Sequence, residues 1–427
     1  MAGISNPKQY ISASKSREQR IFPYYAGYSE EFAQSVLDEL SLPKGSLILD
    51  PWNGSGTTSI ACYKKGLKSI GIDLNPVMIL VSKASFVSKL DIPSLLPLAH
   101  SLLNNVYIFP SYEGNIDVLE KWFSPESARF LRITEGQINK MFVSETSYLD
   151  LTNPKNLKNI SSIAAFFYVI LFRVARKLIA EFIGSNPTWI KSPKNESLRK
   201  KIDRNQLKAL FLNEVTNLCR LESFFINPDS SMVDIIMGDA KALSIESESI
   251  DAVITSPPYC TRIDYAVATS LELAILRMPA TEYDALRRSL IGTSTVSRTV
   301  CSPLENWGVT CLNFLEDVKN HPSRASKSYY YKSHVQYYDA LYLSLKEVSR
   351  VCKSGADLVF VVQSSYYKNV FNDLAIIVEE MGASLQLKIN QRFDFSTKRS
   401  MSTLNPSSKK YVKTRENTES VLIFKKV

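Results

Sequence analysis

Length, composition and charge already narrow the class of protein. The chain has 427 residues, 45% hydrophobic and 22% charged, which predicts a folded core arranged as a large α/β unit with insertions or as two to three domains. Lys and Arg number 51 against 42 Asp and Glu, a formal charge of +9. This excess favours a polyanionic partner, although a merely basic soluble enzyme explains it equally well.

Cysteine and histidine spacing argues against a metal site. The six cysteines contain no C-x-x-C pair, and the three histidines form no ligand pair on one helix. We therefore expect no metal and no disulfide framework. The polar N-terminus lacks the apolar stretch of a signal peptide, which indicates a cytoplasmic protein. The longest apolar run, 163–172, is too short for a membrane span of about 20 residues and predicts a buried helix.

Short β-rich segments alternate with helical patterns along most of the chain. The expected helices include 59–65, 77–89 and 335–352. The expected strands are 46–50, 69–73, 233–237, 252–255, 358–363, 385–391 and 420–424. No helical pattern separates the last two strands. The pattern predicts an α/β Rossmann-like fold, with a seven-stranded mostly parallel sheet and a C-terminal antiparallel hairpin.

Two long segments interrupt this pattern. Residues 95–230 are mainly helical in pattern and too long for a loop, so we expect an inserted domain there. Residues 279–332 form a second, smaller insertion. The remaining segments, 20–94 and 231–427, are predicted to form the catalytic domain. Trp189, in a basic part of the first insertion, is expected to be a core residue.

The first predicted strand runs into a glycine-containing turn that precedes a helix. Glycines allow the backbone to approach a ligand closely, and the free N–H groups at a helix start favour a polar or anionic group. The candidate cofactor-binding residues of this turn are Asp50, Pro51, Asn53, Gly54, Ser55, Gly56, Thr57 and Thr58.

Acidic residues follow the next two strands and strengthen the interpretation of the turn as a cofactor site. Asp73, followed by Leu74, ends the second strand, where a carboxylate accepts both hydroxyls of a ribose. Asp239 and Ala240 follow the third strand, where a carboxylate would meet an adenine amine. This arrangement could equally hold a nicotinamide dinucleotide. Asp50 and the absence of a third glycine favour a sulfonium cofactor with an α-amino group over a pyrophosphate.

The fourth predicted strand ends in Ser256-Pro257-Pro258-Tyr259. The lone pair of an exocyclic amine on a base is conjugated into the ring, so the amine is a poor nucleophile until both of its hydrogens are held by acceptors. The Ser256 hydroxyl and the Pro257 carbonyl are candidate acceptors, and Tyr259 is a candidate for stacking on an extruded base. Taken alone, the tetrapeptide also suits a plain turn or a polyproline ligand.

These segments resemble those of the S-adenosylmethionine-dependent amino-methyltransferases of DNA, and the Ser-Pro-Pro-Tyr form is similar to the cytosine-N4 branch. Adenine-N6 members usually carry Asp or Asn at the position of Ser256. The upstream segment 22–28 resembles the family's N-terminal motif, which helps to hold the methionine end of the cofactor and adds Tyr24 and Tyr25 to the cofactor site. The resemblance covers about 20–90 and 230–425.

The resemblance implies a class I methyltransferase fold and S-adenosyl-L-methionine as the cofactor. It also implies methylation of the cytosine N4 in double-stranded DNA at a specific site, with target recognition in the 95–230 insertion. A restriction endonuclease or other defence proteins are candidate partners. Adenine-N6 methylation, RNA base methylation and a catalytically silent DNA-binding protein stay open as alternatives. Cys260 follows Tyr259 rather than a proline, so a cysteine nucleophile is not indicated.

Two further groups of residues are candidates for contact with nucleic acid. Arg262 and Tyr265 lie just beyond the Ser-Pro-Pro-Tyr segment. A basic stretch between the last two strands is predicted to be the loop of the terminal hairpin, where cations would meet a phosphate backbone. Its candidate contacts are Lys398, Arg399, Lys409 and Lys410.

Overall fold

The computed structural model describes residues 3–8, 21–23, 27–104, 116–184, 189–221, 225–226, 232–260, 263–397 and 417–427. All statements below concern these residues. Within these ranges, no helix combines the length and the apolar character needed to cross a membrane.

A seven-stranded sheet forms the centre of the fold. Its strands and a separate small hairpin are β1 (Leu47–Asp50), β2 (Lys68–Asp73), β3 (Val233–Met237), β4 (Ile250–Thr255), β5 (Cys352–Gln363), β6 (Ser365–Tyr367), β7 (Val370–Asn372), β8 (Leu387–Thr397) and β9 (Asn417–Lys426). The order across the sheet is β3-β2-β1-β4-β5-β9-β8, and β6 pairs with β7. The first five strands are parallel, whereas β9 is antiparallel to both β5 and β8. The predicted Rossmann-like sheet with its C-terminal hairpin is confirmed.

The helices that accompany the sheet in the described residues include α1 (Glu30–Leu40), α2 (Thr57–Lys64), α3 (Pro76–Ala84), α4 (Ile92–Asn104), α5 (Pro125–Phe142), α6 (Pro154–Lys158), α7 (Ser162–Leu178), α8 (Arg204–Cys219), α9 (Tyr265–Ala268), α10 (Ser270–Ile275), α11 (Ala280–Ser289), α12 (Val309–Asn320), α13 (Tyr331–Val351) and α14 (Leu374–Ser384). Local sequence explains several starts. For example, the Asn75 side chain accepts a bond from Val77 N ahead of Pro76, the first residue of α3.

Alternation along the strands divides the core into two faces. Ile48 packs with α1 and α2 on one face, whereas its neighbour Leu49 packs with α12, α13 and α14 on the other. Val359 and Phe360 of β5 divide in the same way. Because successive side chains of a strand point to opposite faces, a central strand covered on both sides is apolar throughout.

The first insertion packs directly on the sheet domain. Residues of α7, including Phe166 and Phe172, share one buried cluster with Val77 and Leu80 of α3 and with Ile235 of β3. The helix α7 is apolar on nearly all sides because neighbouring helices surround it. The insertion therefore shares its core with the helix that follows β2.

Several expectations differ from the structure in detail. Trp189 was expected in the core, but it is 44% exposed, so that prediction is wrong. The strand β8 extends to residue 397 instead of 391, because its pairing with β9 continues to Asn417. The expected hairpin loop, 396–415, begins inside β8, and its remaining residues, 398–415, lie outside the described residues.

Candidate active site

The carboxyl ends of the central parallel strands surround one cavity. The turn after β1, the acids that follow β2 and β3, and the segment after β4 all line it. The residues predicted from sequence that line this cavity are Asp50, Pro51, Asn53, Gly54, Ser55, Thr57, Asp73, Leu74, Asp239, Ala240, Ser256, Pro257, Pro258, Tyr259 and Tyr265. Ligands of open α/β sheets bind at this edge, where the strand order reverses between β1 and β4.

Two of the predicted cofactor-binding residues, Gly56 and Thr58, do not line the cavity. Gly56 has a φ of +85° at the start of α2, and a side chain there would collide with Ser82 Oγ. Thr58 turns its hydroxyl to Asp50, with 2.6 Å between Thr58 Oγ1 and Asp50 Oδ2. Both residues shape the turn, and the structure does not place them in the wall.

Asp50 is buried and links β1 to β4 through hydrogen bonds. Thr255 Oγ1 donates to Asp50 Oδ1 at 2.6 Å, and Thr58 Oγ1 and the Tyr28 hydroxyl donate to Oδ2. The backbone N–H of Trp52 adds a further bond to Oδ1 at 3.2 Å. Burial raises the pKa of Asp50 above its usual value, while these hydrogen bonds lower it. The carboxylate thus fixes the turn against the strand from which the Ser-Pro-Pro-Tyr segment extends.

Asp73 connects the end of β2 to the turn. Its Oδ2 accepts from Gly54 N at 3.0 Å, and its Oδ1 accepts from Asn75 N at 2.8 Å. Burial raises the pKa of Asp73 to about 6, against the opposing effect of these two backbone hydrogen bonds. Each carboxylate oxygen has a further lone pair that can accept a hydrogen bond, and Asp73 lines the cavity. A ribose diol is a suitable donor for this arrangement.

Asp239 lies at the end of β3 on the far side of Asp73. Lys241 N donates to Asp239 Oδ1 at 2.9 Å, and Lys241 Nζ lies 3.4 Å from Oδ2. The same ammonium donates to the carbonyl of Ser289 at 2.9 Å. Lys241 therefore attaches the end of α11, and with it the cavity-lining residues Leu290 and Ile291, to the end of β3.

The segment after β4 presents hydrogen-bond acceptors to the cavity. The Ser256 hydroxyl donates to the carbonyl of Val361 on β5 at 3.0 Å, so its hydrogen is engaged and its lone pairs are available to a donor. Tyr337 Oη donates to the carbonyl of Pro258 at 3.0 Å. Among the described residues, none donates to the carbonyl of Pro257. Both prolines lack an N–H, so the segment offers no competing backbone donor at these positions.

Tyr259 is held by contacts at both its side chain and its backbone. Its hydroxyl donates to Oε1 of Glu419 on β9 at 3.0 Å, and Glu419 is 1% exposed. Lys8 Nζ lies 3.3 Å from Glu419 Oε2 and 5.5 Å from the centre of the Tyr259 ring. Gly292 approaches so closely that a side chain there would be 2.8 Å from the Tyr259 carbonyl oxygen.

Several predicted residues lie outside the described parts of the chain. They are Tyr24, Tyr25, Arg262, Lys398, Arg399, Lys409 and Lys410. Phe22 and Tyr28, which flank the first two in sequence, are described and line the cavity. Tyr265 is also described, and burial raises its pKa above the usual value.

Sequence reasoning missed part of the cavity wall. The missed residues include Asn75, Met78, Arg176, Thr269, Ser289, Leu290 and Ile291. Asn75 and Met78 directly follow the Asp73 turn, and this position was an available signal. Arg176 and Ile291 come from the two insertions, where no motif marks them. Only the fold brings them to the end of the sheet.

Parts of the sequence are similar to known DNA methyltransferases. Residues 6–84 match a family described as DNA methylase. The type II methyltransferase M.BsoBI of Geobacillus stearothermophilus is 25% identical over 84% of this chain and 77% of its own. The type II methyltransferase M.AvaI of a Nostoc species is 23% identical over 88% of this chain and 81% of its own.

Solved structures give a weaker likeness. An S-adenosylmethionine-dependent methyltransferase of Methanosarcina mazei has 10% identity and a TM-score of 0.29, over 92% of this chain and 97% of that one. The fold assignment rests on the strand order of the sheet. That order, with a cavity at the carboxyl ends of the parallel strands, is the Rossmann-like fold of the class I methyltransferases. The sequence similarities relate the chain to the amino-methyltransferases in particular.

Proposed function

We propose that this protein transfers a methyl group from S-adenosyl-L-methionine to the exocyclic N4 of a cytosine in double-stranded DNA, at a specific site. One observation carries the proposal: the glycine turn at Gly54 and the Ser256 segment line the same cavity. When bound, the cofactor supplies an electrophilic methyl group on its sulfonium. The match to the DNA methylase family supports DNA as the substrate.

The protein's own contribution is to orient and activate the amine. Ser256 lines the cavity and donates its hydrogen to Val361, so its lone pairs can accept from an amine bound there. With the carbonyl of Pro257 as second acceptor, both amine hydrogens are held, and the nitrogen lone pair is directed out of conjugation. The Tyr259 ring supplies a stacking surface for a base extruded from the duplex. Asp50, Asp73 and Asp239 are proposed to hold the cofactor on the other side of the cavity.

The choice of cytosine depends on Ser256. A serine hydroxyl at this position resembles the cytosine-N4 branch, whereas an Asp or Asn resembles the adenine-N6 branch. The site specificity is proposed to reside in the 95–230 insertion, with 279–332 as a second candidate. The similarity to type II methyltransferases supports a restriction-modification context, with a restriction endonuclease as the proposed partner.

The test combines product analysis with one substitution. Duplex DNA methylated by the purified protein is digested to nucleosides and analysed by mass spectrometry, with structured RNA as a parallel substrate. We expect N4-methylcytosine, and we expect Ser256→Ala to lose most turnover, about a hundredfold, while affinity for S-adenosylhomocysteine is retained. The matched control is Ser364→Ala, at a buried serine that does not line the cavity.

Each outcome has a distinct meaning. N6-methyladenine in the product would replace cytosine by adenine as the target. Methylation of RNA in preference to duplex DNA would refute the proposed substrate. Full turnover of Ser256→Ala would refute the role of the hydroxyl. Absence of cofactor binding by the native protein would refute methyl transfer altogether.

A further inference from the structure

The cofactor cavity contains one basic side chain among the described residues that line it, and this side chain comes from the first insertion. Arg176 lies in the last turn of α7 and is 8% exposed. The other charged side chains of the wall are the carboxylates of Asp50, Asp73 and Asp239. S-adenosylmethionine carries a sulfonium, an ammonium and a carboxylate. The three carboxylates of the wall suit the sulfonium and the ammonium of this cofactor, and the single guanidinium suits its carboxylate.

Arg176 is held in one orientation by α9 and α10. Its Nε donates to Oε1 of Glu272 at 2.5 Å, and its Nη2 donates to Oε2 of Glu272 at 3.0 Å and to the carbonyl of Ala268 at 2.5 Å. Glu272 is completely buried. The two-point contact between guanidinium and carboxylate fixes the plane of the guanidinium. A rigid guanidinium loses little side-chain entropy when a ligand binds to it.

The edge of Arg176 away from Glu272 remains available for a ligand. The bonds from Arg176 to other described residues engage Nε and Nη2 and leave the hydrogens of Nη1 for a ligand in the cavity. The guanidinium carbon lies 4.9 Å from the centre of the Phe22 ring. Phe22 begins the segment that resembles the motif for the methionine end of the cofactor. The available donors therefore adjoin the expected position of the amino-acid part of the ligand.

We propose that Arg176 binds the α-carboxylate of S-adenosylmethionine, so that the first insertion completes the cofactor site. Glu272 is a positioning residue for this contact because it orients the guanidinium without touching the ligand. The inference rests on S-adenosylmethionine as the cofactor and is independent of which base is methylated. It assigns to α7 a role in the methyltransferase site in addition to any role in target recognition.

Calorimetry with two ligands tests the assignment. S-adenosylhomocysteine retains the carboxylate, and its decarboxylated analogue lacks only that group. We expect Arg176→Gln to weaken binding of S-adenosylhomocysteine about tenfold to a hundredfold, the range expected for a charge-assisted hydrogen bond. Binding of the decarboxylated analogue is expected to change by less than about threefold. The native protein should bind S-adenosylhomocysteine more tightly than its decarboxylated analogue. The ratio of these two affinities should be about equal to the loss of S-adenosylhomocysteine affinity in Arg176→Gln.

Two further variants separate ligand binding from folding. Arg173→Gln is the matched control, because Arg173 lies on the same helix and pairs with a buried glutamate, Glu214, but does not line the cavity. It is expected to leave the preference for the carboxylated ligand unchanged. Arg176→Lys retains the charge and is expected to keep part of that preference even if Arg176→Gln fails to fold.

The result that overturns the inference is equal weakening of both ligands, or no weakening of either, in Arg176→Gln. Loss of the preference in Arg173→Gln would also overturn it, because the effect would then be a general one of the helix. If the native protein binds neither ligand, the proposed function itself fails. That outcome is distinguishable from the failure of the Arg176 contact alone.

Discussion

The pKa of Asp73 leads to a prediction about cofactor affinity as a function of pH. Burial raises this pKa to about 6. We propose that the ribose diol of the cofactor donates hydrogen bonds to this carboxylate, so that the ionised form is the one that binds the cofactor well. The ionised fraction is about nine-tenths at pH 7 and about one-tenth at pH 5. Affinity for S-adenosylhomocysteine is therefore expected to fall about tenfold as the pH is lowered from 7 to 5.

Calorimetric titration across this range checks the prediction, with Asp73→Asn as the diagnostic variant. The amide is uncharged at every pH, so its affinity should be low and independent of pH. One backbone N–H, that of Gly54 or Asn75, loses its acceptor in this variant, which costs about 1–3 kcal/mol. Asp239→Asn is the matched control and should retain the slope. A flat profile in the native protein, or an unchanged slope in Asp73→Asn, would refute the reasoning.

Three other expectations follow from contacts in and around the site. Glu419→Ala removes the acceptor for the Tyr259 hydroxyl and should lower kcat about tenfold in steady-state assays. Glu419→Gln keeps an acceptor oxygen and should retain much of the native kcat. Equal losses in the two variants would contradict the hydrogen-bonding role. Gly292→Ala, at φ +80° and against the Tyr259 carbonyl, should lower both Tm and turnover, and a native Tm would disprove the close approach. Burial lowers the pKa of His334 from 6.5 to about 4. The unfolded state therefore binds a proton at a higher pH than the folded state does. The contribution of His334 to stability is complete above about pH 6.5 and is lost as the pH decreases toward 4. His334→Gln should flatten this part of a Tm profile, and an equally steep profile in the variant would assign the dependence to another group.

Sequence predicted those parts of the site that depend on local chain geometry. The turn at Gly54 and the acid at Asp73 could be located because each immediately follows an apolar strand. Parallel strands carry such residues to the same edge of the sheet. Ser256 could be placed for the same reason, since it follows β4. The strand order then brings β4 beside β1, and the two segments line one cavity.

The missed residues depend on long-range packing. Glu419 lies 160 residues beyond Tyr259 and reaches it because β9 lies between β5 and β8. No pattern in β9 distinguishes this glutamate from a solvent-facing residue of an edge strand. Trp189 was misjudged for a related reason. A large aromatic residue favours burial on average, but its actual exposure depends on whether a neighbouring element covers it.

Packing of the first insertion on α3 has a consequence for how the protein is organised. Val77 and Leu80 are fully buried against α7 and its neighbours. Without the insertion, the helix that follows β2 would present these side chains to water. Arg176 of the same insertion lines the cavity, and its guanidinium is held by Glu272 of α10. Glu272 lies five residues after Val267 of α9, in the segment that follows Ser-Pro-Pro-Tyr. The segment that follows Ser-Pro-Pro-Tyr therefore contacts the insertion and the cofactor cavity at once, so a shift of α7 would displace the cavity wall together with this segment.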